Sequence, residues 1–168
     1  GGVAPDHRLG VFFGDHGSPL PRGKRWLYDS GLRVPLLVRW PGVIAPGTVR
    51  DDLVCFLDLA PTVISLAGGT VPKEWDGRVM LGPAMAPEPP FVFAARDRMD
   101  ENQDRCRSVR GRRYHYIRNF EPEKPWGRFL NYQYQTPSMQ VWYQWAAEGR
   151  LNPAQRIFWS ARKPDEEL

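Results

Sequence analysis

Residues 11–42, VFFGDHGSPLPRGKRWLYDSGLRVPLLVRWPG, decide how the rest of this chain is read. An apolar, aromatic run ends at Asp15-His16-Gly17, a Pro- and Gly-broken segment carries Lys24, and a second apolar run over residues 34–40 stops at Pro41-Gly42. Short apolar runs bounded by such breakers predict two strands joined by an irregular loop, the first of them buried. In open α/β sheets ligands bind beyond the carboxyl ends of strands, which is where Asp15 and His16 fall. Asp15 offers a carboxylate to a hard cation, and His16 adds a neutral imidazole nitrogen or a hydrogen bond to an anion held there. The competing reading is a capped loop in which Asp15 bonds local backbone N–H groups. Lys24 is a solvated surface charge on its own; beside a metal-held anion it becomes a compact positive charge for a sulfuryl or phosphoryl oxygen.

Outward from this stretch, residues 51–67 carry apolar positions at helical spacing. Pro61 suits a first turn and Gly68 a C-terminal stop. Residues 70–90 are rich in Pro and Gly and predict loop. A strand-rich region follows: FVFAARDR from Phe91, then CRSVRGRRYHYIRNF from Cys106, whose RGRR predicts a hairpin turn. Residues 137–149 and 153–162 predict helices with Trp142, Trp145, Phe158 and Trp159 on apolar faces, a pattern more often core than ligand platform. The order predicts α/β followed by α+β.

The chain has 168 residues, enough for a real core, and a formal charge of +4. No apolar run approaches the roughly 18–20 residues that span a bilayer. It opens on Gly-Gly without an initiator Met, and the expectation is a segment cut from a longer protein. Two cysteines make no disulfide framework; Cys55, in LVCFLDLA, is expected to be a buried inert thiol. Residues 96–118 hold eight arginines against four acids, a surplus that suits forked recognition of oxyanions or a solvated strand surface.

Together, Asp15-His16-Gly17, the loop to Lys24, LYDSGLRVPLLVRWPG and FLDLAPTVISLAG resemble the second half of a type I sulfatase, a formylglycine-dependent hydrolase of the alkaline-phosphatase-like superfamily. FAARDRMDE, RSVRGRRYHYIRNFEPEKPW and KPDEEL resemble the C-terminal part of bacterial sulfatases, nearest to heparan N-sulfatase (sulfamidase)-like members. The resemblance implies an α/β, alkaline-phosphatase-like fold. The C-terminal portion of the catalytic domain would occupy residues 1–90, and a subdomain of antiparallel strands and helices residues 91–168.

The resemblance further implies that Asp15 is a ligand of an active-site Ca2+ and that His16, in a slot held by Asn or His, completes the pair. It implies that Lys24 binds a sulfate oxygen and offsets charge on the leaving group, and that Arg98 or Glu101 meets a hydroxyl, carboxylate or sulfate of a glycan. His115 reads as a strand residue, and Arg33 as a brace for the loop. The family's formylglycine arises from Cys or Ser in a Cys-x-Pro-Ser-Arg type motif, absent here. Cys106-Arg107-Ser108-Val109-Arg110 keeps the Cys-to-Arg spacing but lacks the Pro.

The expected nucleophile therefore lies in an N-terminal part of the same protein, and the chain is expected to be inactive alone. The partner expected is a sulfated glycan or other sulfate ester, with no nucleic acid and no membrane, in a periplasmic or secreted setting. Two other readings remain at this point: a phosphodiesterase or phosphonate hydrolase of the same superfamily, and a non-catalytic polyanion-binding module built on residues 96–118.

Overall fold

A computed structural model describes residues 8–168. The first apolar run forms strand β1, Gly10–Phe13, and the second forms β2, Leu36–Arg39, paired antiparallel with Phe13 opposite Leu36 and Gly10 opposite Arg39. A short helix, α1 (Asp29–Leu32), lies between them. The first predicted strand is present, but it is not buried: Phe12 is 66% and Phe13 42% exposed. Two strands make no core by themselves, because each face needs a covering layer.

Four more strands, β3 (Val92–Met99), β4 (Asn102–Arg110), β5 (His115–Asn119) and β6 (Glu166–Glu167), hydrogen-bond in chain order. The β3–β4 turn places Asp100 at φ +50°, a left-handed conformation that Asp tolerates better than most side chains. At the β4–β5 turn the Gly111 N–H donates to Tyr114 O at 2.9 Å, so RGRR closes the hairpin as predicted.

The chain divides into two compact units. Of the described residues, the first comprises 8–49, 94–108 and 117–167. Its core is aromatic: Trp26, Trp126, Met139 and Phe158 are buried, with Tyr28, Tyr134, Trp142 and Trp159 packed against them. Phe158 meets Trp142 at 4.5 Å between ring centroids and Trp26 edge-on at 5.5 Å. Met139, fully buried, contributes about 1.5–3 kcal/mol by leaving water. It sits on α4 (Pro137–Ala147), which follows α3 (Asn131–Tyr134), starts with Pro at its first turn and ends before Gly149 at φ +68°. The helix predicted over 153–162 is shorter. Asn152 and Gln155 cap α5 (Pro153–Arg156) reciprocally, a 3-10 turn over Ile157–Trp159 follows, and Ser160 is extended. Trp142, Phe158 and Trp159 are core, as read; Trp145 lies at the surface with Arg150 over its ring.

A second cluster of the same unit, Leu27, Cys106 and Ile117, adjoins an ionic knot. Lys163 Nζ donates to both Asp104 oxygens at 2.6 Å, and the Arg96 guanidinium donates to Asp104 at 2.6 Å while lying 4.3 Å above Trp26. Burial pushes the Cys106 thiol up to about 11, which keeps it protonated and inert at neutral pH.

The second unit comprises residues 50–93, 109–116 and 168. A 3-10 turn, Phe56–Asp58, leads into α2 (Leu59–Leu66), with Pro61 in the first turn and Gly68 at φ +78° just past the end. Asp58 is buried; its carboxylate accepts the N–H groups of Arg78 (2.9 Å) and Cys55 (3.1 Å). Arg78 in turn donates to the carbonyls of Leu53 and Ala86. These bonds give the Pro- and Gly-rich segment 70–90 a fixed course without regular structure, satisfying backbone groups that would otherwise be orphaned. Cys55 is half-buried rather than buried, and burial raises its thiol as well. No helix among the described residues is long and apolar enough to cross a membrane.

Candidate active site

The loop after β1 owes its course to glycines. Gly17 N–H donates to Gly31 O at 3.0 Å, Lys24 N–H to Ser18 O at 2.7 Å and Trp26 N–H to Gly23 O at 3.1 Å. A Cβ on Gly17 would lie 1.9 Å from Ser30 O, and one on Gly31 would lie 2.2 Å from Trp26 O. Neither position admits a side chain without moving backbone. Gly17→Ala is therefore expected to cost about 1–3 kcal/mol of stability and to displace the Asp15–His16 turn, with urea unfolding and proton NMR of the His16 ring as the measurements. An unchanged midpoint and an unshifted ring would show the turn to be more pliable than its contacts imply.

Within this turn His16 Nδ1 lies 2.8 Å from Gly17 O. A carbonyl only accepts, so Nδ1 carries a proton, and in the tautomer with its single proton there Nε2 keeps its lone pair. That Nε2 stands 3.4 Å from Asp15 Oδ2. The Asp15 side chain is 80% exposed and that of His16 39%, so both atoms are accessible. In that tautomer two lone-pair atoms stand at a spacing that can grip a cation at two points. Among the described residues no group of three or more His, Cys, Asp or Glu converges on one point.

Lys24 belongs to the same hydrogen-bonded loop, and its side chain runs to Tyr132 of α3, with Nζ 5.1 Å from the ring centroid. Arg25 lies over the same ring at 4.3 Å and clasps Asp100 through two nitrogens at 2.7 and 3.1 Å. Arg22 and Arg25 both hold left-handed backbone, at φ +64° and +83°, which costs a non-glycine residue of order 1 kcal/mol or more each. Arg22 lies over Tyr28, whose hydroxyl donates to Glu167 at 2.9 Å. The loop is thus braced on three sides, and Lys24 projects from a fixed base.

Arg98 is exposed and donates through Nε to Asp100 O at 3.0 Å. Glu101 is exposed, and its Oε1 accepts the Asn131 N–H at the start of α3 at 2.6 Å. One carboxylate oxygen therefore holds the helix that carries Tyr132. Tyr132, Arg25 and the Asp104 knot were not legible as site or support residues; all of them depend on contacts between distant parts of the chain.

Four of the eight arginines in 96–118 are held in ion pairs within the protein: Arg96 with Asp104, Arg107 with Asp97, Arg112 with Glu88 and Arg118 with Glu166. A polyanion-binding stripe would need these guanidinium groups free.

The family described as N-sulphoglucosamine sulphohydrolase, C-terminal, matches residues 14–146. This chain belongs to that family. It is 42% identical over 158 residues to an ulvan-active sulfatase of Formosa agariphila, covering 94% of this chain and 26% of that protein. Against human arylsulfatase A it is 41% identical over 76 residues, 42% of this chain and 15% of the relative. A rat steryl-sulfatase matches 77 residues at 42% identity, 42% of this chain and 13% of that protein. The chain therefore spans about a quarter or less of the length of these curated sulfatases. A solved structure from Bacteroides thetaiotaomicron, provisionally described as a sulfatase, superimposes with a TM-score of 0.58 at 21% identity over 88% of this chain and 40% of that one. The fold of this family member is that of the C-terminal region of the alkaline-phosphatase-like sulfatases, helices with antiparallel sheets. The family is one of sulfate-ester hydrolases.

Proposed function

We propose that this chain supplies one side of a calcium-dependent sulfatase site in a protein that hydrolyses sulfate ester or N-sulfate groups of a sulfated saccharide. The observation that carries this reading is the 3.4 Å approach of His16 Nε2 to Asp15 Oδ2 in a glycine-locked turn after β1. Asp15 and His16 would hold the calcium, which when bound offsets the negative charge of the sulfate. Calcium takes about six to eight ligands, mostly oxygen, so the remainder come from outside the described residues.

Lys24 places its ammonium at a sulfate oxygen and offsets charge on the departing oxygen or nitrogen. Arg98 and the outer oxygen of Glu101 contact the saccharide. The formylglycine nucleophile belongs to a segment N-terminal to these residues, and the 168 residues alone are inactive. The catalytic portion over 1–90, the subdomain over 91–168 and a periplasmic or secreted setting are part of the same proposal, as is the absence of nucleic-acid or membrane partners. The sulfatase relatives, the family match and the internally paired arginines support it over a polyanion-binding module.

The test is Asp15→Asn in the protein at its full natural length. The half-saturating calcium concentration, read both from hydrolysis of methylumbelliferyl sulfate and from calcium-dependent melting, is expected to rise at least about tenfold. Equal calcium requirements in variant and parent would sink the assignment.

A further inference from the structure

A cleft of about 630 Å³ opens at the β4–β5 hairpin tip, wholly within the second unit, lined by Glu88, Phe91, Arg112, Arg113, Tyr114 and Tyr116 together with Pro89, Pro90, Val109 and Gly111. Phe91 and Tyr114 are more than half exposed, so each offers ring surface to a ligand beside the contacts it makes with Gly111 and Arg113. Gly111 makes the floor possible: a Cβ there would lie 3.3 Å from the Phe91 ring, so the absence of a side chain lets the ring settle against the turn.

The charges in the cleft are unequal. Arg112 is committed to Glu88, whose other oxygen accepts the Leu53 N–H at 2.7 Å, so this ion pair is neutral and anchored. Arg113 has no ion pair among the described residues; its guanidinium carbon lies 5.0 Å from the Tyr114 ring centroid. The cleft thus offers aromatic and prolyl faces and, among the described residues that line it, one forked cation without an ion pair. The complement is a rigid ring with C–H faces and one peripheral anion. A nucleic acid would use several free cations along a backbone, and among the described residues lining the cleft only Arg113 is without an ion pair.

We propose that this cleft binds an anionic pyranose unit of a saccharide, its sulfate or carboxylate on Arg113 and its ring against Tyr114 and Phe91. The inference extends the saccharide reading above and names a second contact for the same substrate class. Calorimetry on the full-length protein with a heparin-derived hexasaccharide, and with maltohexaose as the neutral counterpart, tests it. Arg113→Ala and Tyr114→Ala are each expected to weaken the heparin hexasaccharide about tenfold and to leave the melting temperature unchanged, because both side chains are exposed. An oligogalacturonate measured alongside distinguishes carboxylate from sulfate as the anion, and Arg113-dependent binding of either upholds the site.

Unaltered affinity in both variants, or maltohexaose bound as tightly as the heparin hexasaccharide, overturns the proposal. Methylumbelliferyl sulfate is too small to need the cleft, so its turnover separates the two ideas. Turnover intact with saccharide affinity unaffected by Arg113→Ala removes the cleft and leaves the sulfatase reading. No turnover of any sulfate ester, with binding still sensitive to Arg113, does the reverse.

Discussion

Asp104→Ala is expected to destabilise the protein by about 3–5 kcal/mol, because it strands Lys163 and Arg96 as buried cations with no anion between them. The Asp104 and Lys163 side chains are 1% and 0% exposed, and Arg96 is 7% exposed. Neither cation can turn to water without opening the core around Trp26. Lys163→Met is the informative partner: it leaves Asp104 bound to Arg96 one to one, and a well-packed apolar side chain there should cost clearly less. Urea unfolding of the three proteins measures both differences, and an Asp104→Ala loss no greater than that of Lys163→Met would overturn the account.

The same carboxylate has a pH signature. Burial alone would raise it, but hydrogen bonds and charge from Lys163, with charge from Arg96, outweigh burial and hold it below its ordinary value of 3.8. A folded value below the unfolded one means that the contribution is fully present above about pH 4 and is lost as pH falls through the folded value. Asp104→Ala should therefore flatten the acid limb of the stability curve below pH 4 relative to the parent protein.

Lys24→Ala is expected to lower turnover of a sulfate ester by about 10²–10³, the usual consequence of removing one preorganised group that meets charge developing in the transition state. If Lys24 acts in this way, kcat falls while KM moves little. Tyr132 is a positioning residue: its ring sits under both Lys24 and Arg25, and it touches no reacting atom in this reading. Tyr132→Phe keeps the negative ring face and should stay within about threefold of the parent. Tyr132→Ala should lower kcat further and leave calcium half-saturation as it was. Equal kcat in Lys24→Ala and the parent would remove the lysine from the chemistry. Equal kcat in Tyr132→Ala would remove the tyrosine from its support.

Local features of this protein were legible and distant ones were not. Gly68 stops α2 and Pro137 starts α4 because backbone constraints act within a few residues. RGRR closes its hairpin for the same reason. The Asp15-His16-Gly17 turn was readable as a strand-end loop, although the direction of His16 Nε2 depends on the Gly17 carbonyl and only the fold reveals it. The burial expected for β1 failed because apolar composition states what a strand would bury and not what covers it. The partners of the arginines were hidden for a similar reason: Arg112 meets Glu88 and Arg118 meets Glu166, 24 and 48 residues away. Left-handed backbone at Arg22 and Arg25 has no signature in side chains that seldom adopt it.

The span between Tyr28 and Glu167 has a consequence for how the molecule is made. Their hydrogen bond joins positions 139 residues apart, and Lys163 reaches Asp104 across 59. During synthesis the first loop emerges well before residues 163–167 are made, so these two clasps close only once that later segment has left the ribosome. The segment bearing Lys24 therefore gains this brace late in the folding of each molecule.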